Sequence, residues 1–196
     1  MKKIILSLGL MFSSIFAIDL GVLLVSPEVG ATLSYNKVTF LKAGKEESHK
    51  LSIPSNDSLG TGAYARLWLG FLGLMLAPQV KYDYLKPAFN YEGDTSKSSL
   101  HNIQYGALLG YRIPFIKLTP FAGISYSSFK GEIKDHTLKN TYAVNFGVRW
   151  EVPFIPLLVL GIEGSWQKPE LNLPSGGATN EHLKMLNLGA SLGFAF

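Results

Sequence analysis

The chain has 196 residues, 47% of them hydrophobic and 16% charged, with no cysteine and a formal charge of +4. So low a charged share, against roughly 25% in soluble domains, excludes intrinsic disorder. The missing thiols exclude disulfide scaffolds, zinc ribbons and cysteine nucleophiles.

In chain order, Met1-Lys2-Lys3 is a short basic start, Ile4 to Phe16 is an apolar run, and Ala17 is a small residue at its end. This is the pattern of a secretory signal, so residues 1–17 are expected to be a signal peptide and 18–196 the mature domain. Asp19 interrupts the run too early for a spanning helix. Without Lys2 and Lys3 the charge falls to +2, and no Lys/Arg run points to nucleic acid.

The rest of the chain alternates with the period of a strand. Val29, Ala31, Leu33 and Tyr35 oppose Gly30, Thr32 and Ser34; a bulge at Pro27 is expected to join Asp19 to Val25 onto this strand. Ala63, Ala65, Leu67, Leu69 and Phe71 are assigned outward, which turns Tyr64, Arg66 and Trp68 inward. Leu74, Leu76, Val80, Tyr82 and Tyr84 oppose Gln79, Lys81 and Asp83. Ile103, Tyr105, Ala107, Leu109 and Tyr111 oppose Asn102, Gln104, Gly106, Gly110 and Arg112. Leu118, Ala122, Ile124 and Tyr126 oppose Gly123, Ser125 and Ser127, with Phe121 breaking the rule. Tyr142, Val144, Phe146, Val148 and Trp150 oppose Thr141, Ala143, Asn145, Gly147 and Arg149. Leu158, Leu160, Ile162 and Trp166 oppose Gly161, Glu163, Ser165 and Gln167. The last strand is the cleanest: Leu186, Leu188, Ala190, Leu192, Phe194 and Phe196 oppose Asn187, Gly189, Ser191, Gly193 and Ala195.

Eight strands result. Short apolar links sit near Gly70 to Gly73, Ile113 to Ile116 and Val152 to Pro156. Longer polar links cover Asn36 to Gly60, Leu85 to Ser99, Lys130 to Lys139 and Pro169 to Glu181. Arg112-Ile113-Pro114-Phe115-Ile116 echoes Glu151-Val152-Pro153-Phe154-Ile155, as matching turns at one rim. Tight turns at one end and long loops at the other describe an all-β, antiparallel, up-and-down transmembrane barrel. Such a barrel needs apolar residues only at alternate positions, which explains a membrane-like composition with no 18-residue apolar run beyond the signal.

A lipocalin-like barrel would turn its apolar face inward. Here the other parity carries Gly, Ser and Ala together with Arg66, Lys81, Asp83, Arg112, Arg149 and Glu163. Those charges fit a narrow interior as a paired network, with the three arginines on Glu163 and Asp83. Tyr35, Tyr82, Tyr84, Tyr126, Tyr142 and Trp166 lie toward the long loops, and Tyr111, Phe115, Trp150 and Phe154 toward the turns, giving two aromatic girdles.

The signal, the eight strands and the ending Leu192-Gly193-Phe194-Ala195-Phe196 resemble small bacterial outer-membrane barrels of the OmpA/OmpX type. The resemblance implies location in the outer membrane of a Gram-negative bacterium, contact with its lipid and lipopolysaccharide, and a monomeric state. It also implies that Leu192, Phe194 and Phe196 act as a signal to the barrel-assembly machinery. No counterpart of a C-terminal peptidoglycan-binding domain is expected.

Chemistry is thinly represented. His49, His101, His136 and His182 fall one in or beside each long loop, but no pair has ligand spacing. His101 beside Ser98 and Ser99, and His136 beside Asp135, make no dyad, because neighbours on a strand face opposite ways. The reading is therefore a non-enzymatic barrel with a structural or surface-interaction role and no cofactor or metal. A rim-located lipid-modifying enzyme and a narrow channel are the alternatives.

Overall fold

The computed structural model describes residues 18–19, 23–42, 45–46, 59–85, 88–91, 94–97, 99–133, 136–172 and 178–196. The expected signal peptide, 1–17, lies outside them. Eight long strands build the wall: β1 (Leu23–Lys42), β2 (Leu59–Phe71), β3 (Leu74–Leu85), β4 (Leu100–Tyr111), β5 (Leu118–Lys130), β6 (Thr141–Glu151), β7 (Leu158–Gln167) and β8 (Ala178–Ala195). Each pairs antiparallel with the next, and β8 pairs back onto β1, so the sheet closes. Short pairings decorate the loop end, among them Ala88–Tyr91 with Asp94–Lys97 and His136–Leu138 with Glu170–Asn172.

Two sequence expectations change. No bulge forms at Pro27: β1 and β2 stay in one register from Leu23↔Phe71 to Tyr35↔Leu59, and Ile18–Asp19 instead folds back on Leu24 and Val25. Pro27 faces outward, where its missing N–H leaves the alternation undisturbed. The wall also reaches further than the alternation suggested, because β1 continues to Lys42 and β8 starts at Ala178. These two extensions pair with each other, Lys42 opposite Glu181.

The closure is staggered. The paired residues lead from Glu28 through Arg66, Gln79 and Gly106, then Ser125, Ala143, Gln167 and Met185, and arrive at Val38. That is ten residues further along β1, which sets a strand tilt of about 40°. Eight strands at this tilt leave room inside for side chains and no wide lumen.

Face assignment follows the alternation throughout. β2 and β3 expose every second residue without a break along Ala63 to Phe71 and Leu74 to Tyr82. Phe121 belongs to the inner parity after all: it is buried and meets Trp68 edge-on at 5.9 Å. Two glycines are required by close approach. A Cβ on Gly30 would lie 2.5 Å from the Tyr64 hydroxyl, and one on Gly193 would lie 2.5 Å from the same oxygen. The hydroxyl end of Tyr64 thus sits against bare backbone on β1 and β8.

A side chain at either position must displace that ring. Gly30→Val is expected to lower stability by about 1–3 kcal/mol in reversible urea unfolding in lipid vesicles. Thr61→Val on the outer wall should leave the midpoint in place, and an unshifted midpoint for Gly30→Val would disprove the close fit.

Candidate functional site

The interior is layered. Toward the turns, Trp68, Met75, Ala77, Leu108 and Phe121 form an apolar layer with Leu24 packed on it. Toward the loops, Leu85, Leu100, Phe129, Leu138, Leu171, Leu183 and Met185 form another, with Val38 against it. Between them lies a polar zone. Ser127 Oγ sits 2.6 Å from Asn102 Oδ1 and 2.8 Å from Gln167 Oε1. Gln79 and Asn145 both donate to Ser125 Oγ, at 3.0 and 2.8 Å.

Below and within that zone the charged side chains form one chain of alternating sign. Lys81 lies 3.5 Å from Asp83 and 3.7 Å from Glu163. Glu163 accepts from Arg66, and Arg66 lies 3.7 Å from Glu28. Glu28 accepts from Arg149, Arg149 donates to Glu151 at 2.5 Å, and Glu151 accepts from Arg112 at 2.8 Å. The order is Asp83, Lys81, Glu163, Arg66, Glu28, Arg149, Glu151, Arg112. Four positive and four negative groups alternate without a break, and the formal charges cancel. Neutral groups support the chain: Trp68 Nε1 donates to Glu28 at 3.0 Å, Arg66 donates to Gln79 at 3.2 Å, and the Arg66 guanidinium covers the Tyr64 ring at 3.9 Å.

All six charges singled out in the sequence lie on this chain. Their pairing differs from the expected one: Arg149 takes Glu28 and Glu151 in place of Glu163 or Asp83, and Arg112 takes Glu151. The tilt is the reason. It brings β6 level with the turn-side part of β1, where Glu28 sits, and leaves Glu163 and Asp83 higher up. Glu28 and Glu151 were missed, although both share the parity of inward neighbours, Gly30 for Glu28 and Arg149 for Glu151. Their position beside Pro27 and at the start of a turn hid them.

The chemistry available here is limited. The buried carboxylates and cations face one another, and no group of three His, Asp or Glu among the described residues has metal-binding geometry. His101 points outward: its Nδ1 lies 2.7 Å from the Tyr82 hydroxyl and its ring 5.1 Å from that of Tyr84. His49 lies outside the described residues, as do the side chains of His136 and His182.

The outer wall carries the two girdles. Tyr105, Tyr126 and Tyr142 touch in sequence across β4, β5 and β6, tilted and then edge-on, with ring centres 5.3 and 5.7 Å apart. Just above this belt, on the loop side, the outward positions turn cationic. Lys37 follows Tyr35 on β1, Lys168 follows Trp166 beyond β7, and Lys184 precedes Leu186 on β8. Trp166, Leu186 and Lys37 are direct neighbours across the ladder, so the three lysines make a short arc over adjacent strands. Lys168 Nζ lies 5.2 Å from the Trp166 ring centre. Leu192 and Phe194 are outward and exposed on β8, and Phe196 donates its N–H to the Pro27 carbonyl at 2.8 Å.

No protein-family model and no curated relative matches the sequence. Solved structures do match by shape. Outer membrane protein AlkL, determined in DMPC bilayers, aligns over 87% of this chain and 90% of its own, at 12% identity and a TM-score of 0.51. The fold is that of a small outer-membrane barrel. Neisserial surface protein A (12% identity, 87% of this chain, 97% of its own, TM-score 0.47) and OprG from Pseudomonas aeruginosa (12%, 87%, 95%, 0.43) match less closely in shape. At such identities the likeness is one of architecture.

Breaking the charge chain at its most buried link should be costly. Arg149→Met leaves Glu28 buried without its main partner and is expected to destabilise the barrel by about 3–5 kcal/mol. Adding Glu28→Gln should recover part of that loss in a double-mutant cycle; purely additive losses would show that the two groups are not coupled.

Proposed function

We propose that the protein is a non-enzymatic barrel of the Gram-negative outer membrane, serving as a structural element that presents its loops for interaction. One observation carries this reading: the interior is filled by a neutral, fully alternating charge chain that descends from below the loop-side apolar layer, past Trp68 of the turn-side layer, to the turn rim. A conducting path needs a continuous wet route, and an apolar layer such as the loop-side one blocks it by dewetting. A general base or nucleophile needs a group free to react, whereas each charged group here is held by another.

The outer wall supports the same reading. Apolar side chains cover it between two aromatic girdles, as in a monomer surrounded by lipid. The arc of Lys37, Lys168 and Lys184 lies on the loop side just above the tyrosine belt, at the level of headgroups. Phosphate groups of lipopolysaccharide fit there, with the acyl chains lying against Trp166, Leu186 and Tyr35. Leu192, Phe194 and Phe196 form an outward stripe on the strand that closes the barrel, which suits recognition by an assembly machinery before closure.

Purified protein in planar bilayers is expected to be electrically silent. Reproducible single-channel steps would overturn the structural reading in favour of a channel. Fractionation of native cells, followed by gels of unboiled and boiled samples, should place a heat-modifiable band in the outer membrane; a soluble, non-shifting band would remove the membrane assignment itself.

A further inference from the structure

Part of the outer wall is short for the layer it has to cross. From Tyr126 in the loop-side belt to Leu118 at the turn end of β5 is eight residues, as it is from Tyr142 to Trp150 on β6. At a tilt of about 40° these eight residues rise only about 20 Å. The apolar band of such barrels is about 25 Å tall. β5 and β6 therefore end about 5 Å before the band does, whereas β1 and β2 carry the wall further at this end, to Leu23 and Phe71.

The turns that join the strands at this end are apolar. The β2–β3 turn presents Leu72, the β4–β5 turn presents Pro114, Phe115 and Ile116, and the β6–β7 turn presents Phe154, Ile155 and Leu157, all exposed. Phe115 and Phe154 are almost completely uncovered by the protein. Apart from the Arg112–Glu151 pair, Lys117 is the only charge in these three turns, and its long stem can carry the ammonium to the headgroups.

The backbone conformation points the same way. Leu72, Phe115, Lys117 and Leu157 all hold positive φ, at 49°, 69°, 53° and 69°. Glycine adopts such angles without strain, and asparagine with glycine is the usual choice in two-residue hairpins. Large apolar side chains are held in three of these four places. Ile116 N–H donates to the Pro114 carbonyl at 2.8 Å, so Phe115 is the centre of a γ-turn of the strained hand and stands out at its tip.

The turns also go part of the way toward the demand of hydrocarbon that backbone donors have partners. Arg112 N–H donates to Gly73, Glu151 N–H to Lys117 and Ala195 N–H to Leu157, so the ladder continues from turn to turn around the rim. Pro114, Pro153 and Pro156 remove three further donors outright.

We infer that the three turns are immersed in the periplasmic leaflet, with Phe115 and Phe154 inserted as anchors that complete the height of the barrel. The occupant of this surface is phospholipid. The inference rests on the membrane-spanning reading of the wall and adds the vertical position of the barrel to it.

The chain has no native cysteine, so single labels are clean. Phe115→Cys and Phe154→Cys, each carrying an environment-sensitive fluorophore, are reconstituted in phosphatidylcholine vesicles. Ile124→Cys marks the middle of the outer wall, and Lys139→Cys marks the loop end. Each variant is first shown to be folded by its gel shift on boiling, and Leu72→Cys replaces any that fails. The turn labels are expected to give blue-shifted emission, strong quenching by spin labels on the acyl chains and weak quenching by aqueous iodide, unlike the Lys139→Cys label. Turn labels quenched by iodide beside a lipid-quenched Ile124→Cys label would overturn the inference and mark the turns as a docking surface for a periplasmic protein, leaving the spanning reading intact. Iodide quenching of the Ile124→Cys label as well would overturn both.

Discussion

Hydrocarbon offers the peptide group no hydrogen-bond partner, and the rest of this structure depends on that one constraint. A sheet meets it only by closing, which β8 does against β1 from Glu181↔Lys42 to Ala195↔Glu28. Closure with a stagger of ten residues fixes the tilt, and tilt with strand number fixes the radius. The radius then dictates what stands inside. A ring as large as Tyr64 fits only against glycine, at Gly30 and Gly193. Every charge of the interior chain except Asp83, whose partner Lys81 is on its own strand, lies within reach of an opposite charge from a different strand.

That crowding explains the charge chain. An isolated ion in a medium of low dielectric is costly, and a single pair offsets that cost only with good geometry and further hydrogen bonds. An alternating chain does better, since most members have an opposite charge on two sides. Glu28 is the clearest case, held by Arg66, Arg149 and the Trp68 N–H. The chain starts on β3 and passes through β7, β2, β1 and β6 to the end of β4. It therefore fixes the relative height of six strands, which backbone pairing alone would allow to slip by two residues without changing any face. The polar parity has a second effect: it divides the apolar residues so that no stretch of residues 18–196 resembles a spanning helix.

The facing of residues was legible in the sequence because it is a local property. A strand of period two declares its two faces by itself, and the outward set of β8, from Leu186 to Phe194, could be read before any partner was known. Height is a different matter. Whether Arg149 meets Glu28 or Glu163 depends on a stagger accumulated around the whole wall, and no single strand carries that information. The same gap made Phe121 look like an error of alternation, when it is the inner partner of Trp68 on a strand more than 50 residues away. Glu28 and Glu151 lay at the correct parity but beside proline and a turn, where alternation is weakest as a signal.

Height also separates the two ends of the barrel. On the loop side the strands outlast the apolar band: β1 and β8 run on past the tyrosine belt, and the outward residues change from Tyr35 to Lys37, from Trp166 to Lys168 and from Leu186 to Lys184. The interface is marked there by a change of side chain on an uninterrupted ladder. On the turn side β5 and β6 stop early, so the same boundary has to be met by the turns at their ends. Polar turn residues would place unpaired donors and charges inside the band. Proline removes donors, rim bonds such as Arg112 to Gly73 occupy others, and residues such as Leu72 and Phe115 hold angles better suited to glycine so that apolar surface continues to the edge. Strain at Phe115, Lys117 and Leu157 thus goes with β5 and β6, which stop about two residues short of the band at the lower end.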